Sequence, residues 1–554
     1  MLDEGVIEEG EDTPDPKSVS RIGDGVSPSV WRFAKVDRAA VLIDAADYFA
    51  AMQEAMLKAR YRIFLIGWDF DTRIHLAEGR RWWQRPTKRE YPVRLGSFIS
   101  WLVRHRPTLE IRMLKWSFGI FKFVVRGSMW WDLTRWARHH RIDFKFDSAH
   151  PTGCSHHQKI AVLDNSLAVC GGIDMTVKRW DTRDHNEDEP LRKTPRGGGY
   201  EPWHDATMMM EGEIADALSD LGRDRWIRAG GTPLLPVQRT DRSLWPDGLE
   251  PTFENVEVGI ARTRAAHREW DKVDEIENLF VEHIKRAKKF IYAESQYFAS
   301  RAICEAMLER MQEDDPPEIV IVHPRHADGW LEQQAMDHAR AELVRCIEEA
   351  DEKGRFTIWT PYSGITPIYV HAKIMIVDDR IFRIGSANMN NRSMGLDSEC
   401  DVFVDCEREG NGHAEDPIRR IRYSLLAEHC GLEEDEIGEL LERHGSMAAM
   451  IDHSITESGR NLMRYHPPEL NEVEEKVADS GLLDPEDPED LFEPFAKGGL
   501  FRKGSRLARM RNKIRRNSQE FARVFLIPIH VSAFGVRSRA ARKIPRGGKV
   551  LHGV

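Results

Sequence analysis

One spaced set of residues occurs twice in this chain, and it restricts the fold more than any other feature. His157, Lys159 and Asp164 are followed by Gly171-Gly172-Ile173-Asp174, and 214 residues later His371, Lys373 and Asp378 are followed by Gly385-Ser386-Ala387-Asn388. In each copy His-x-Lys precedes four residues, an Asp, six residues and a Gly. At average residue usage, one such match arises by chance on the order of 10⁻³ times per chain. Two in equivalent places are far rarer. The flanking order repeats as well. A helical stretch (44–59, then 271–289) runs into a strand (YRIFLIGWDF, then FIYAESQYF), and further strand and helix segments lead to the spaced set. A period of this length is too long for a solenoid. It fits two fused α/β domains of like topology.

The geometry within each copy is legible. HQKIAVLD and HAKIMIVD read as strands, and side chains alternate between faces along a strand. His157 and Lys159 therefore point one way, as do His371 and Lys373, and His156 points opposite to His157. Asp164-Asn165-Ser166 and Asp378-Asp379-Arg380 read as hairpin turns. The return strands bring Asp174 and Asn388 back beside their own His-Lys pairs, and the small residues there, Ser386 among them, let a ligand approach the backbone. Two such half-sites across a pseudo-two-fold interface place two imidazoles and two ammonium groups around one cavity. That suits a phosphodiester. The lysines neutralise its charge and that of the five-coordinate transition state, one neutral imidazole attacks phosphorus, and the other, protonated, donates to the leaving alkoxide. This chemistry calls for no metal and no cofactor, and no dense carboxylate cluster is legible that would hold a metal.

Composition sets the outer bounds. A chain of 554 residues, 41% hydrophobic and 31% charged, is expected to form two or more domains with proper cores. No run of eighteen apolar residues suggests a spanning helix. The acidic opening MLDEGVIEEGEDTPDP has no secretory h-region. The seven cysteines are scattered without a C-x-x-C pair, which favours a reducing compartment. The expected location is the cytoplasm or the membrane periphery, with export lacking a classical signal as the alternative. The net charge of −11 hides an asymmetry: from Leu500 onward fifteen Lys or Arg face one acid, Glu520. The expected organisation is an acidic disordered leader (1–25), a first repeat (26–255), a second repeat (256–430), an acidic helical appendage (431–495) containing LEEDEIGELLERH and NEVEEKVADSG, and a basic tail (496–554).

The duplicated H-x-K-x4-D pattern resembles the signature of the phospholipase D superfamily, over roughly Trp31 to Arg422. GGIDMTVKRWDT (171–182), GYEPWHDATMMMEG (199–212), FIYAESQYF (290–298) and NMNNRSMGLDSECDVFV (388–404) are similar to flanking segments of its phospholipase branch, here of the bacterial kind. The resemblance implies two pseudo-symmetric domains, each a mixed sheet flanked by helices, with one active site at their interface and within one chain. It implies that His157 forms a phosphohistidine, that His371 protonates the departing alcohol, and that Lys159, Lys373 and Asn388 hold the phosphate oxygens. Glu399 matches the acid behind the second histidine, and Asp205 is the counterpart for the first. Asp174 stands where the wider superfamily has Asn, and Ser295 replaces an Asn. Asp164 and Asp378 complete the motif, with turn acceptor as the competing role. The implied reaction is hydrolysis of glycerophospholipids, of the phosphatidylcholine type, to phosphatidate and head group, with transfer to an alcohol as an additional outcome. A cardiolipin-synthase-like phosphatidyltransferase and a nuclease are the alternatives.

Other residues carry weaker expectations. Trp180 and Trp203 are either core or part of a cage for a quaternary ammonium. Residues 111–131, aromatic and basic, are either core or a lipid-facing surface. The basic tail is expected to favour an anionic membrane surface, with nucleic acid and plain solvation as competing readings and no obligate nucleic acid partner. His185 and His204 lie near the motifs without an assignable role.

Overall fold

The computed structural model describes residues 26–468 except 78, 80, 82–89, 117–128, 238, 240–241, 327–329 and 457–458, together with residue 484 and residues 501–525 except 502–503. The leader 1–25, the segment NEVEEKVADSG and the tail beyond residue 525 lie outside the described residues.

The first half runs β1 (Arg32–Ile43), α1 (Ala45–Lys58), β2 (Arg62–Gly67), α2 (Leu95–His105), β3 (Glu110–Trp116), α3 (Met129–Ala137), β4 (Ile142–Asp147), β5 (Ile160–Leu163), β6 (Leu167–Gly171), β7 (Trp203–His204), β8 (Ala206–Gly212) and α4 (Ile214–Arg228). The second half repeats it: β9 (Phe253–Arg264), α5 (Glu275–Arg286), β10 (Phe290–Glu294), α6 (Arg301–Met311), β11 (Glu318–Val322), α7 (Trp330–Ala350), β12 (Phe356–Ser363), β13 (Tyr369–Val370), β14 (Ile374–Val377), β15 (Ile381–Gly385), β16 (Glu399–Asp405) and α8 (Glu415–Cys430). Strand order in the first half is 4-3-2-5-6-8-1, with β2, β3 and β4 parallel and the rest antiparallel. In the second half it is 12-11-10-14-15-16-9 with the same directions. The equivalent strands β1 and β9 pair antiparallel with each other, from Arg32 opposite Ile260 to Ala39 opposite Phe253. The duplicated sheets therefore meet edge to edge about a local pseudo-two-fold.

Parallel strands that carry helices on both faces must be apolar throughout. β2 (RIFLIG) and β11 (EIVIV) are such runs, each buried along almost its whole length. One core cluster unites the two sheets: Phe64, Val162 and Met208 from the first pack with Tyr292, Val320 and Ile376 from the second, roofed by α4 and α8. A second cluster lies on the other face of the first sheet beneath α1 and α2, around Phe49, Met52, Phe98 and Leu102. Each such side chain contributes roughly 1.5–3 kcal/mol on burial.

The segment after α8 departs from the expected appendage. α9 (Glu434–His444) and α10 (Met447–Ser454) lead into β17 (Arg460–Arg464), which pairs antiparallel with β12 and extends the second sheet. Glu318, at the start of β11, accepts the Met447 and Ala448 N–H groups at 2.9 Å and caps α10. Ile437, Met450 and Leu462 join the shared core. Residues 434–464 are thus the edge of the second half. In the 111–131 region, β3 ends at Trp116, residues 117–128 lie outside the described set, and α3 buries Met129 and Trp136 while exposing Trp130 and Trp131. Among the described residues no helix is long and apolar enough to cross a membrane. Residues 512–554 form a separate unit, described only as the end of helix α11 (Arg506–Phe525).

Candidate active site

His157 enters β5 and His371 enters β14, the equivalent strand, and each main chain is held by the other half. The His157 N–H donates to Ser398 O at 2.9 Å, and the His371 N–H donates to His204 O at 2.7 Å as β7 and β13 pair in parallel. The side chains are crossed too. His157 Nδ1 lies 3.0 and 3.1 Å from the two carboxylate oxygens of Glu399, and His371 Nδ1 lies 2.7 Å from Asp205 Oδ2. The Nδ1 protons assigned by these contacts leave both Nε2 atoms facing the site. The Ser386 and Ser393 hydroxyls donate to Glu399, and the Ala206 N–H donates to Asp205 Oδ1 at 2.9 Å. Each lysine amine bends back to the carbonyl of its own motif histidine, Lys159 at 2.9 Å and Lys373 in a short contact.

The crossed contacts bring the two half-sites together, and the electrostatics follow. Burial, then Lys159 and then Lys373 push His157 well below the usual imidazole range. Burial, then Lys373, Arg179, Lys159 and His157 itself do the same to His371. Each ring thus feels the cation of the opposite half. Burial lowers Lys373 to about 7, and it raises Asp205 to about 7 and Glu399 to about 8. The site is poised around neutral imidazoles within a concentrated positive potential, which is the setting an oxyanion needs.

Comparison with known proteins agrees. The family model described as Phospholipase D matches residues 133–305, and the model described as Cardiolipin synthase, PLD-like domain, matches residues 280–419. The chain belongs to the phospholipase D superfamily. It is 25% identical over 524 residues to Phospholipase D alpha 1 of Zea mays, covering 69% of this chain and 63% of that one. It is 27% identical over 383 residues to Phospholipase D1 of Schizosaccharomyces pombe, covering 51% and 28%. The chain thus spans less than two thirds of the length of these relatives. Among solved structures, a phosphatidylserine synthase of Haemophilus influenzae matches with a TM-score of 0.49 and 12% identity, over 76% of this chain and 96% of that one.

Within this superfamily fold, several expected positions shift. The resemblance puts Glu399 behind His371 and Asp205 behind His157; the structure reverses both, because the residue before each carboxylate, Ser398 or His204, accepts the main-chain N–H of the opposite half's histidine. Asp164 and Asp378 lie away from the imidazoles, at the hairpin ends of β5 and β14. Asp164 accepts the N–H groups of Arg60, Tyr61 and Arg62 at 2.7–2.8 Å, and Asp378 accepts those of Lys288, Lys289 and Phe290 at 2.7–2.8 Å. They sit in two-residue turns with φ of 49° and 50° at Asp164-Asn165, and 55° and 57° at Asp378-Asp379. They fasten the starts of β2 and β10 and contact no reacting group. His156 faces away, between Asp147 Oδ1 at 3.1 Å and Ser398 Oγ at 2.7 Å.

Asp174 and Asn388 are equivalent in sequence and differ in place. Asp174 Oδ1 accepts the Trp68 and Asp69 N–H groups at 3.1 and 3.4 Å, and Oδ2 pairs with Lys159 at 3.4 Å. The buried Asn388 Oδ1 has no hydrogen-bond partner. Trp203 stacks on Tyr369 at 4.5 Å and lies 5.2 Å from the His371 ring, whereas Trp180 packs half-buried on the first-half core. Arg179 is the residue that sequence reasoning missed. Its guanidinium lies 4.1 Å over Trp203 and acts on His371, Asp205 and Lys373 alike. The signal was present as the Arg of the RWD segment, directly before the tryptophan that drew notice instead. His185 and His204 are fully buried behind Asp205, in a cluster with Asp44, Glu428, Glu294 and His429. A dense group of imidazoles and carboxylates therefore exists, contrary to the reading of the sequence, and it lies outside the paired half-sites.

Proposed function

We propose that this protein is a phospholipase D acting on glycerophospholipids of the phosphatidylcholine type, releasing the head-group alcohol and phosphatidate through a phosphohistidine. The crossed pair of imidazole–carboxylate contacts at one seam, flanked by Lys159 and Lys373, carries this reading. His157 Nε2 attacks phosphorus as the bond from phosphorus to the head-group oxygen breaks, and the His371 imidazolium gives its Nε2 proton to that oxygen. Water then attacks phosphorus, its proton returns to His371, and the bond to His157 breaks. An acceptor alcohol in place of water completes transphosphatidylation.

The proton on His371 arrives with the substrate. Two lysines and Arg179 oppose it, and the phosphodiester anion offsets that positive field. Lys159, Lys373 and Asn388 take the phosphate oxygens, and Asp174 acts by holding Lys159. Trp203, Tyr369 and Arg179 form a wall beside His371. The exposed Trp130 and Trp131, together with the basic tail, would seat the enzyme on an anionic membrane surface.

A second reading is phosphatidyl transfer to a lipid alcohol, favoured by the cardiolipin synthase-type domain matched over 280–419. Vesicles of mixed lipids, with products identified by mass spectrometry with and without ethanol, separate the two. Choline with phosphatidate, and phosphatidylethanol when ethanol is added, support the hydrolase. Dimeric lipid from phosphatidylglycerol supports the transferase. A fully active His157→Ala protein would refute both.

A further inference from the structure

Directly behind Asp205 lies a cluster that the reaction above does not use. Asp44, His185, His204 and Glu428 come from the start of α1, the loop before β7, β7 itself and α8, so both halves contribute. All four are buried, and one ligating atom from each can be chosen so that all lie within 4.8 Å of one another. His185 Nε2 is 3.3 Å from Asp44 Oδ2 and 3.1 Å from Glu428 Oε1. His204 Nδ1 is 3.5 Å from Asp44 Oδ1 and 2.7 Å from Glu428 Oε1. Ligands held at about 2.0–2.1 Å around a tetrahedral cation stand about 3.4 Å apart; three of these separations, 3.1–3.5 Å, lie near that value, and His204–Glu428, at 2.7 Å, is shorter.

Three further observations point to a ligand. First, His204 Nδ1 and Asp44 Oδ2 are fully buried and meet their neighbours at ion-pair distance, 2.7 Å to Glu428 Oε1 and 3.3 Å to His185 Nε2, without well-aligned hydrogen-bond geometry. Second, the far nitrogen of each imidazole meets a carboxylate: His185 Nδ1 lies 3.1 Å from Asp181 Oδ2, and His204 Nε2 lies 2.8 Å from Glu294 Oε2. Carboxylates placed this way orient metal-binding histidines and raise their donor strength. Third, the charges do not balance with neutral imidazoles. Among the described residues Asp44, Asp181, Glu294 and Glu428 meet two guanidiniums, Arg183 on Glu428 and Arg192 on Asp181, and a third imidazole, His429, 3.0 Å from Glu294 Oε1. With all three imidazoles neutral, four carboxylates against two guanidiniums leave a deficit of two positive charges. Asp44 itself is held at φ 65°, ψ 156°, a backbone region that only glycine occupies readily.

We propose that Asp44, His185, His204 and Glu428 form a structural site for one divalent cation of the zinc class. Two nitrogen and two oxygen donors in a closed, buried, four-fold set suit such an ion and leave no position for substrate. The role is mechanical. Asp44 Oδ1 also accepts the Asp205 N–H at 3.0 Å, so the cation would anchor the backbone of the residue that holds His371.

The competing occupant is a pair of protons, one on each imidazole. Burial opposes a charge on His185, yet Asp44, Asp181 and Glu428 raise it to about 9, so the same negative field serves either occupant. The full chain, produced with zinc present and dialysed against metal-free buffer, should retain one zinc per chain by mass spectrometry. X-ray absorption at the zinc edge should show two imidazoles and oxygen donors at about 2.0–2.1 Å. Refolding with cobalt(II) should give the visible absorption of a tetrahedral ion. His185→Gln and Glu428→Gln should lose the metal, and His429→Gln should keep it. Folded wild-type chain that carries no zinc and takes up no cobalt on refolding would assign the cluster to protons and overturn the proposal, as would retention of zinc in His185→Gln. The wild-type measurements decide the matter even if the variants do not fold, and they are independent of whether the substrate is a phospholipid.

Discussion

The crossed carboxylates can be tested by asking which chemical step each one serves. Glu399 supports His157 with two contacts of 3.0 and 3.1 Å, and Asp205 supports His371 with one of 2.7 Å. As each imidazole gains positive charge in its step, its hydrogen bond to the carboxylate becomes charge-assisted and contributes about 1.5–3 kcal/mol, and loss of the correct tautomer adds to that. Glu399→Gln and Asp205→Asn should therefore each cost about 2–4 kcal/mol of transition-state stabilisation, or roughly 30- to 1,000-fold in kcat/KM on phosphatidylcholine. The steps separate when the leaving group needs no proton. On phosphatidyl-p-nitrophenol, the first-turnover burst requires nucleophilic attack and no general acid. Asp205→Asn should recover most of its burst rate on this substrate and then stall at the phosphohistidine, which acid quench would trap. Glu399→Gln should stay as slow on the activated substrate as on the natural one. If Glu399→Gln recovers and Asp205→Asn does not, the carboxylates serve the histidines in the opposite sense and the assignment of nucleophile and acid fails.

Other consequences can be measured alongside. Asp164→Ala removes three backbone contacts from a buried acceptor, so it should lower stability to urea by about 2–4 kcal/mol while the folded fraction keeps its turnover number. Gly172→Ala should cut activity at least a hundredfold without unfolding the protein, since the added methyl would meet Asp205 Oδ1 at 2.1 Å and His371 O at 3.2 Å; normal activity in a folded Gly172→Ala protein would contradict the packing described. Lys373 is lowered to about 7 by burial, so its charged form, present below that pH, is lost as pH rises, and a bound phosphate anion would favour it again. KM should therefore climb above about pH 7 more steeply than kcat falls, and Lys373→Arg should flatten the KM profile because guanidinium stays charged.

The half-site geometry was legible because it is local. Strand alternation places His157 with Lys159, and Asp-Asn or Asp-Asp after an apolar run is turn chemistry, so the structural role of Asp164 and Asp378 could be weighed from residues alone. The pairing across the seam was not legible. A strand period fixes which face a side chain takes, but not which of two equivalent carboxylates lies opposite it once two sheets are joined at β1 and β9. β17 escaped for a different reason: RNLMR has no strand-like alternation, and it forms a strand because the open edge of β12 and the apolar seat of Leu462 are available to it. Arg179, His185 and His204 sit on irregular segments or a two-residue strand, where no period reports direction.

Exchange of the two imidazole supports between halves also limits how this molecule can be altered by recombination. A chimaera joined anywhere between Asp205 and His371 draws Asp205 and the imidazole it steadies from different parents, and the same holds for His157 and Glu399. Such hybrids inherit two mismatched couples at once, so variation at these four positions must travel together or be repaired together.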